Sequence, residues 1–550
     1  MTTPENQPLP APTNAIDVIS QRYASGKQTC ILTLTFPDLS QVGDLLKRIE
    51  YGVHCWELRG DLLSPSGAAE ESNIPSAEYV QNQIQCLRSH SNLPIFFSLR
   101  MKSQGGRFPD AEIAAAAELI SLAVNLKCEY VEWNINWPLD TLKRITNKAT
   151  GTKIVGSEYD VTGDLRWTDA GVRNICKSID QYADIISVSL LASDIDGCHD
   201  LAQFTRKHRQ SNKKPLLATC TGLNDQLSRI ISPITQVTHP GLPFPASADQ
   251  PTVAKVNQAL HLLGQLPKKQ FYIFGHNIAH SLSPALHNAG FQELGLPHHY
   301  RIHQSENVDK SVEDLVNRHD FGGASVTFPH KLQVGRLLDS VSPVVEKVGA
   351  VNTIVVRKSE DGSRVLIGDN TDWLGIKRCI DSASVRHLGT SAALVLGAGG
   401  AARAACYAVQ SLGVQHLLIV NRTLSKAEDM AALFPDMRTT IFGSLEAACE
   451  YTGPCIRVII ACVPADDLGE DKIPTKLFSG ADTGALVEMA YRPQVTGMMK
   501  VAKRFPGWSV FKGIDVLEEQ AYAQFELWTE MPAPSIVMGD AMRAKASGKL

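Results

Sequence analysis

No apolar run of about 18 residues, the length that spans a bilayer as a helix, occurs in this 550-residue sequence. A basic-then-apolar leader is equally missing, so the sequence reads as a cytoplasmic protein with no membrane partner. Nor is there a basic stripe: 53 Lys and Arg stand against 57 Asp and Glu, and the cations are scattered. Without a clustered positive face, or helix-turn-helix or zinc-finger spacing, direct nucleic-acid binding is not expected. The 12 cysteines form no CxxC and no paired Cys/His cluster, which argues against a disulfide framework and a structural zinc. No metal site is therefore expected.

What is present suits a folded chain. The sequence is 44% hydrophobic, enough to fill cores; at about 100–200 residues per domain its length suggests three or four structural units, fewer if one is a barrel, so two or three domains are expected. Only the Pro-rich, polar start lacks periodicity, and residues 1–27 read as a disordered tail. From residue 29 to 242, short β-rich runs alternate with helical stretches. They are TCILTLTF (29–36), VHCWELRG (53–60), PIFFSLR (94–100), YVEWNIN (130–136), TKIVGSEYD (152–160), DIISVSL (184–190), KPLLATCTG (214–222) and QVTHPGL (236–242). Eight such units predict an α/β fold with a (β/α)8 barrel over 28–263, an open doubly wound sheet being the alternative.

A linker near 264–270 should end this unit, and FYIFG (271–275) starts another with two strand-and-helix series around a cleft. Its expected parts are a first lobe over 271–375, a nucleotide-binding Rossmann domain over 376–512, and a C-terminal helical segment, 513–550. The last helix, near Val516 to Trp528, should return to the first lobe.

The segment ALVLGAGGAARAACYAV (393–409) runs from an apolar strand through Gly397, Ala398, Gly399, Gly400 and Ala401 into an Ala-rich helix. This is the GxGxxA form of the dinucleotide turn, in which glycines let a pyrophosphate approach a helix N-terminus. The next strand, HLLIVNRT (416–423), ends where an NAD enzyme would place an acid on the ribose. Here stand Asn421, Arg422 and Thr423, with Lys426 beyond. A guanidinium and a hydroxyl suit a 2′-phosphate that an acid would repel, so NADP is the expected cofactor.

Five further motifs surround that turn: GHNIAHSLSPALHNAGF (275–291), GGASVTFPHK (322–331), GAVNTIV (349–355), GDNTDWLG (368–375) and VLEEQAYAQFELW (516–528). Together they resemble shikimate dehydrogenase. The resemblance implies that Ser281 and Ser283 hold a substrate carboxylate, while Thr327, Asn352 and Gln520 bind ring hydroxyls. Lys331 and Asp372 match the catalytic pair that handles the proton at the reacting oxygen. Met489 and Tyr491, in VEMAYRP (487–493), and Gly513 fall on the cofactor side by the same resemblance. The implied reaction is reduction of 3-dehydroshikimate with NADPH, its reverse, or the same chemistry on a quinate-type substrate.

The first half carries ELRGD (57–61), SLRMKSQGGRFPD (98–110), LNDQLSR (223–229) and THPGLPFPASADQ (238–250). It resembles type I 3-dehydroquinate dehydratase, in the form fused to shikimate dehydrogenase in fungal arom polypeptides. That places Glu57, Arg59, Arg100, Arg229 and Gln250 at the binding site. The family's catalytic residues are replaced: Tyr159 stands at the His position, Ser187 at the Schiff-base Lys position, and Asn134 where an acid is usual. A serine hydroxyl cannot form the iminium that serves as electron sink, and a phenol is a poor proton shuttle at neutral pH. The barrel is therefore expected to have lost dehydratase activity.

Loss of catalytic groups beside retained binding groups also fits a metabolite sensor like the related fungal quinate repressor, acting through a protein partner. Retention of Lys331 and Asp372 favours the enzyme.

Overall fold

The structure, a computed structural model, describes residues 17–65, 74–222, 226–247, 250–359, 361–465, 468–490 and 493–548. The chain forms two compact units that divide between Leu266 and Pro267.

The first unit is built on eight parallel strands: β1 Thr29–Leu34, β2 Cys55–Arg59, β3 Ile95–Ser98, β4 Tyr130–Asn134, β5 Lys153–Asp160, β6 Ile185–Leu191, β7 Leu216–Thr221 and β8 Ile234–Val237. Their order, β7-β6-β5-β4-β3-β2-β1-β8, curls into a nearly closed barrel with β7 packed near β8 at the seam. Because side chains alternate along a strand, one parity of each strand faces inward. At the N-terminal end those positions are apolar and form one cluster, Ile31, Cys55, Phe96, Tyr130, Val155, Ile185, Leu217 and Ile234. Two residues further along each strand the inward set turns polar, with Thr33, Glu57, Ser98, Glu132, Ser157 and Ser187 among them. The barrel is thus a dry plug at one end and a hydrogen-bonding chamber at the other, where barrel sites are built.

Two expectations differ from this structure. A disordered tail is expected over 1–27; residues 1–16 lie outside the described residues, and Val18–Ala24 is a helix capped by Asp17, whose carboxylate accepts from Ser20 N. Ile19 and Tyr23, one turn apart, enter the apolar end of the barrel, and Tyr130 Oη accepts from Ile19 N. Seven residues are too few for an independent helix, so tertiary burial holds it. The eighth strand lies at Ile234–Val237 rather than 236–242, its ladder to β1 ending at Val237. Pro240 cannot donate to a ladder, which disfavours continuation.

The second unit has two six-stranded sheets. The first runs β10-β9-β11-β13-β14-β12, from β9 Gln270–Gly275, β10 His299–Gln304, β11 Phe321–Val326, β12 Ser340–Val341, β13 Thr353–Lys358 and β14 Arg364–Asp369, and it is mixed. The second contains β15 Ala392–Leu396, β16 His416–Val420, β17 Arg438–Phe442, β18 Ile456–Ala461, β19 Gly484–Glu488 and β20 Trp508–Phe511. It is all-parallel, in the order β17-β16-β15-β18-β19-β20. This is the doubly wound order, whose ligand crevice opens where the winding reverses, between β15 and β18.

Two helices tie the sheets together. Asp372–Ser382 packs along Gly513–Thr529 so closely that a Cβ on Gly375 would stand 2.7 Å from Val516 O. Gly513–Thr529 also lies against β13. It is not the last helix: Ser535–Ala546 follows and packs on Ser283–Glu293.

Candidate active site

A cavity of ≈ 690 Å³ opens in the second unit, lined by strands of the first sheet and by residues that follow β19 and β20 of the second. Ser281 and Ser283 reach it from the loop after β9 and the helix Ser283–Glu293, and Thr327 comes from just beyond β11. Asn352, Lys331, Asp372 and Gln520 line it too, so residues up to 239 positions apart in the chain, Ser281 to Gln520, converge. Met489 and Gly513 also line the cavity, while Tyr491 lies outside the described residues.

Lys331 sits on the short turn His330–Leu332, whose Lys331 carbonyl accepts from Val351 N at 2.9 Å. That bond brings the lysine beside the segment carrying Asn352. Its ammonium is ion-paired with Asp372 Oδ2. Asp372 opens the helix Asp372–Ser382, where the positive end of the helix dipole favours a carboxylate. Its other oxygen accepts from Asn352 Nδ2 at 2.9 Å. With one donor engaged, two ammonium hydrogens remain for a ligand oxygen.

At the nucleotide turn, Gly397 has φ +111°, a region glycine alone enters freely, and a Cβ there would meet Cys462 O at 3.1 Å. The turn therefore closes against the end of β18, at the winding reversal. Gly399 caps the helix Gly400–Ser411 with no side-chain bond to its first N–H groups, and a Cβ on Gly399 would find nothing within 4 Å. Ala398 and Ala401 flank this opening. Free N–H groups facing open space at a helix N-terminus fit a pyrophosphate. Beside it, Gly397 N donates to Val420 O at 2.8 Å, which sets the Gly turn next to the Asn421–Thr423 turn. Asn421 Nδ2 braces that turn through Thr423 O, and Arg422, Thr423 and Lys426 are exposed around it.

The barrel chamber holds a second constellation. Glu57, wholly buried, accepts from Thr33 Oγ1 (2.6 Å), Ser98 Oγ (2.8 Å), Gln236 Nε2 (2.7 Å) and Arg100 (3.2 Å). Burial alone would raise its pKa, but Arg100, then Arg59, then the two hydroxyls outweigh it and hold the carboxyl below its ordinary value. Tyr159 Oη donates to Glu132 Oε1 at 2.7 Å, and the Arg100 guanidinium lies 4.9 Å over the Tyr159 ring. Burial pushes both Glu132 and Tyr159 up, so the phenol stays a donor. Gln250 joins through Thr33 (3.3 Å).

Arg59 is held in a fork by Asp61, at 2.7 and 2.6 Å. Ser187 is buried on β6 with the inward parity, Arg229 is buried on the helix Gln226–Ile231, and Asn134 Oδ1 accepts from Asn136 N. Glu132 escaped the sequence reading, although its inward parity with Tyr130 and Asn134 marks it.

Family models match the chain in four places: type I 3-dehydroquinase over residues 30–267, shikimate dehydrogenase substrate binding domain over 273–354, shikimate/quinate 5-dehydrogenase over 381–459, and shikimate 5′-dehydrogenase C-terminal domain over 513–543. The pentafunctional AROM polypeptides of Malassezia globosa and Mycosarcoma maydis are 40% and 36% identical over 92% and 95% of this chain. The chain spans only 31% and 32% of their lengths. The structure of the dehydroquinate dehydratase and shikimate dehydrogenase portion of S. pombe AroM is 33% identical, with a TM-score of 0.81, covering 95% of this chain and 99% of that one. The chain belongs to the family of fused type I 3-dehydroquinases and shikimate dehydrogenases typified by that fungal portion.

Proposed function

We propose that the second unit is an NADP-dependent dehydrogenase acting on shikimate, 3-dehydroshikimate or a quinate-type relative, and that the barrel no longer dehydrates 3-dehydroquinate. The observation that carries the first part is the Lys331–Asp372 pair, braced by Asn352, in a cavity bordering a Rossmann crevice. Ser281 and Ser283 offer hydroxyls to a carboxylate; Thr327, Asn352 and Gln520 offer groups to ring hydroxyls. NADP, when bound, supplies the hydride acceptor or donor. Lys331 gives the proton to the reacting oxygen in reduction and takes it in oxidation, with Asp372 holding the amine in place. The same pair, costly to keep in a pure sensor, favours catalysis over a regulatory role.

The test is a rate screen of the purified chain with shikimate and quinate, each with NADP and NAD. NADP-linked oxidation is expected, and Arg422→Ala should lower kcat/KM for NADP by roughly 10-fold, about the 1.4 kcal/mol of a charge-assisted contact, with little change for NAD. No turnover with either substrate and either cofactor would reject the reading.

For the barrel, incubation with 3-dehydroquinate and borohydride should leave the chain's mass unchanged and give no 3-dehydroshikimate. Ser187 has no amine with which to form an imine, and Tyr159 is tied to Glu132 as a donor. A borohydride-trapped adduct on a barrel peptide would overturn this assignment.

A further inference from the structure

Asn352 touches Asp372, and what orients Asn352 lies further out. Its Oδ1 accepts from Thr371 N at 2.7 Å and from Thr353 Oγ1 at 2.6 Å. A backbone N–H only donates, so this bond fixes which end of the amide faces it, and Nδ2 must turn to Asp372 Oδ1 (2.9 Å) and Gln520 Oε1 (3.2 Å). Gln524 is fixed by the same logic: its Nε2 donates to the Asn352 carbonyl at 3.2 Å and to Thr353 Oγ1 at 3.0 Å. Its Oε1 must then face Ser325, whose hydroxyl donates at 2.7 Å. Having spent its proton, Ser325 Oγ accepts from Tyr300 Oη at 2.6 Å.

Two backbone groups thus set the sense of one buried chain running from Tyr300 through Ser325, Gln524, Thr353 and Asn352 to Asp372 and Lys331. Gln524 is 1% exposed and Tyr300 1%, so water does not substitute along it. The titratable groups near the far end are uncharged: burial pushes the Tyr300 phenol up and lowers His287, stacked 4.6 Å away, to about 3.

The geometry points to Gln524 as a positioning residue for the dehydrogenase: its amide directs the Thr353 hydroxyl and the Asn352 backbone so that Asn352 holds Asp372, and through it Lys331, in the reactive arrangement. Three members of the chain lie on three different elements, β11, β13 and the helix Gly513–Thr529, and Gln524 bonds to both strands. An apolar residue of its shape would leave the Ser325 hydroxyl without its acceptor and free Thr353 to turn away, while the Asn352 carbonyl would keep only Val326 N, at 2.7 Å.

The inference rests on the dehydrogenase reading of the cavity, and its test separates the two. Gln524→Met keeps the volume and removes all three hydrogen bonds; kcat for shikimate oxidation is expected to fall 10- to 100-fold, with KM for NADP unchanged. Gln524→Glu retains the donor only while its carboxyl is protonated. Its rate relative to the wild type should therefore climb as pH falls from 8 to 5.5, whereas the Gln524→Met ratio should stay flat. A residue that merely filled space would give the reverse, Met near the wild type and Glu impaired at every pH, and that result overturns the proposal. Should the wild type oxidise neither shikimate nor quinate, the reading of the cavity falls, and a crystal structure of Gln524→Met still decides this one. An Asn352 amide that has left Asp372 supports it, and one still bonded to Asp372 rejects it.

Discussion

Lys331→Ala is expected to lower kcat for shikimate oxidation by roughly 10²–10⁴-fold, the span that a positioned acid–base group contributes, with NADP affinity nearly unchanged. The ammonium lines the cavity, is anchored to Asp372, and sits on a turn whose backbone is independently tied to Val351, so removing the side chain leaves the turn in place. Lys331→Arg should recover little, since a planar fork pairs with Asp372 in a different geometry and moves the donors away from the reacting oxygen. Asp372→Asn should also be impaired: an amide nitrogen in place of either oxygen would face Asn352 Nδ2 or the lysine, donor against donor. Steady-state rates with saturating NADP and a thermal melt of each variant check this. A Lys331→Ala protein with the melt and the rate of the wild type would remove the lysine from the mechanism.

That pair was legible in the sequence because GGASVTFPHK and GDNTDWLG are compact, locally readable motifs. The chain of residues behind it was not. Ser325 and Gln524 are 199 positions apart, and each alone reads as an ordinary strand serine and helix glutamine. Only the tertiary approach of the helix Gly513–Thr529 to β11 and β13 makes them partners. In the barrel, alternating strands and helices announced the architecture. The strand ends were less clear, because Pro233 and Pro240 bracket a strand of four residues in a stretch that reads β-like for longer. Helix Val18–Ala24 hid in a polar stretch because just two of its residues, Ile19 and Tyr23, are buried. Ser535–Ala546 hid because Gly539 interrupts its apolar spacing. Glu132 shares an inward face with Asn134, and its place in the barrel chamber shows only through its bond to Tyr159, a residue 27 positions away on the next strand.

Glu132 and Glu57 should respond to pH with opposite signs. Glu57→Ala would strand Arg100 over the Tyr159 ring and leave Thr33, Ser98 and Gln236 without their shared acceptor; breaking a buried pair in this way costs about 3–5 kcal/mol. The milder Glu57→Gln keeps an acceptor and loses the charge. Because the folded state depresses the Glu57 pKa, the charge stabilises the barrel at pH values above the ordinary carboxylate pKa, and that contribution disappears as pH falls through the depressed value. The deficit of Glu57→Gln should therefore be full at pH 7 and shrink below about pH 4. Glu132 has a raised pKa, so the fold favours its protonated form, and ionising it costs stability as pH climbs through that raised value. Glu132→Gln retains an oxygen for the Tyr159 phenol, and relative to the wild type it should be neutral or stabilising at pH 8. Urea unfolding of the full chain, with amide hydrogen exchange read on barrel peptides, follows this unit separately from the dehydrogenase. A Glu57→Gln deficit that grows toward pH 4, or a Glu132→Gln barrel weakened at pH 8, would show that Arg100 neutralises the two carboxylates in the opposite order.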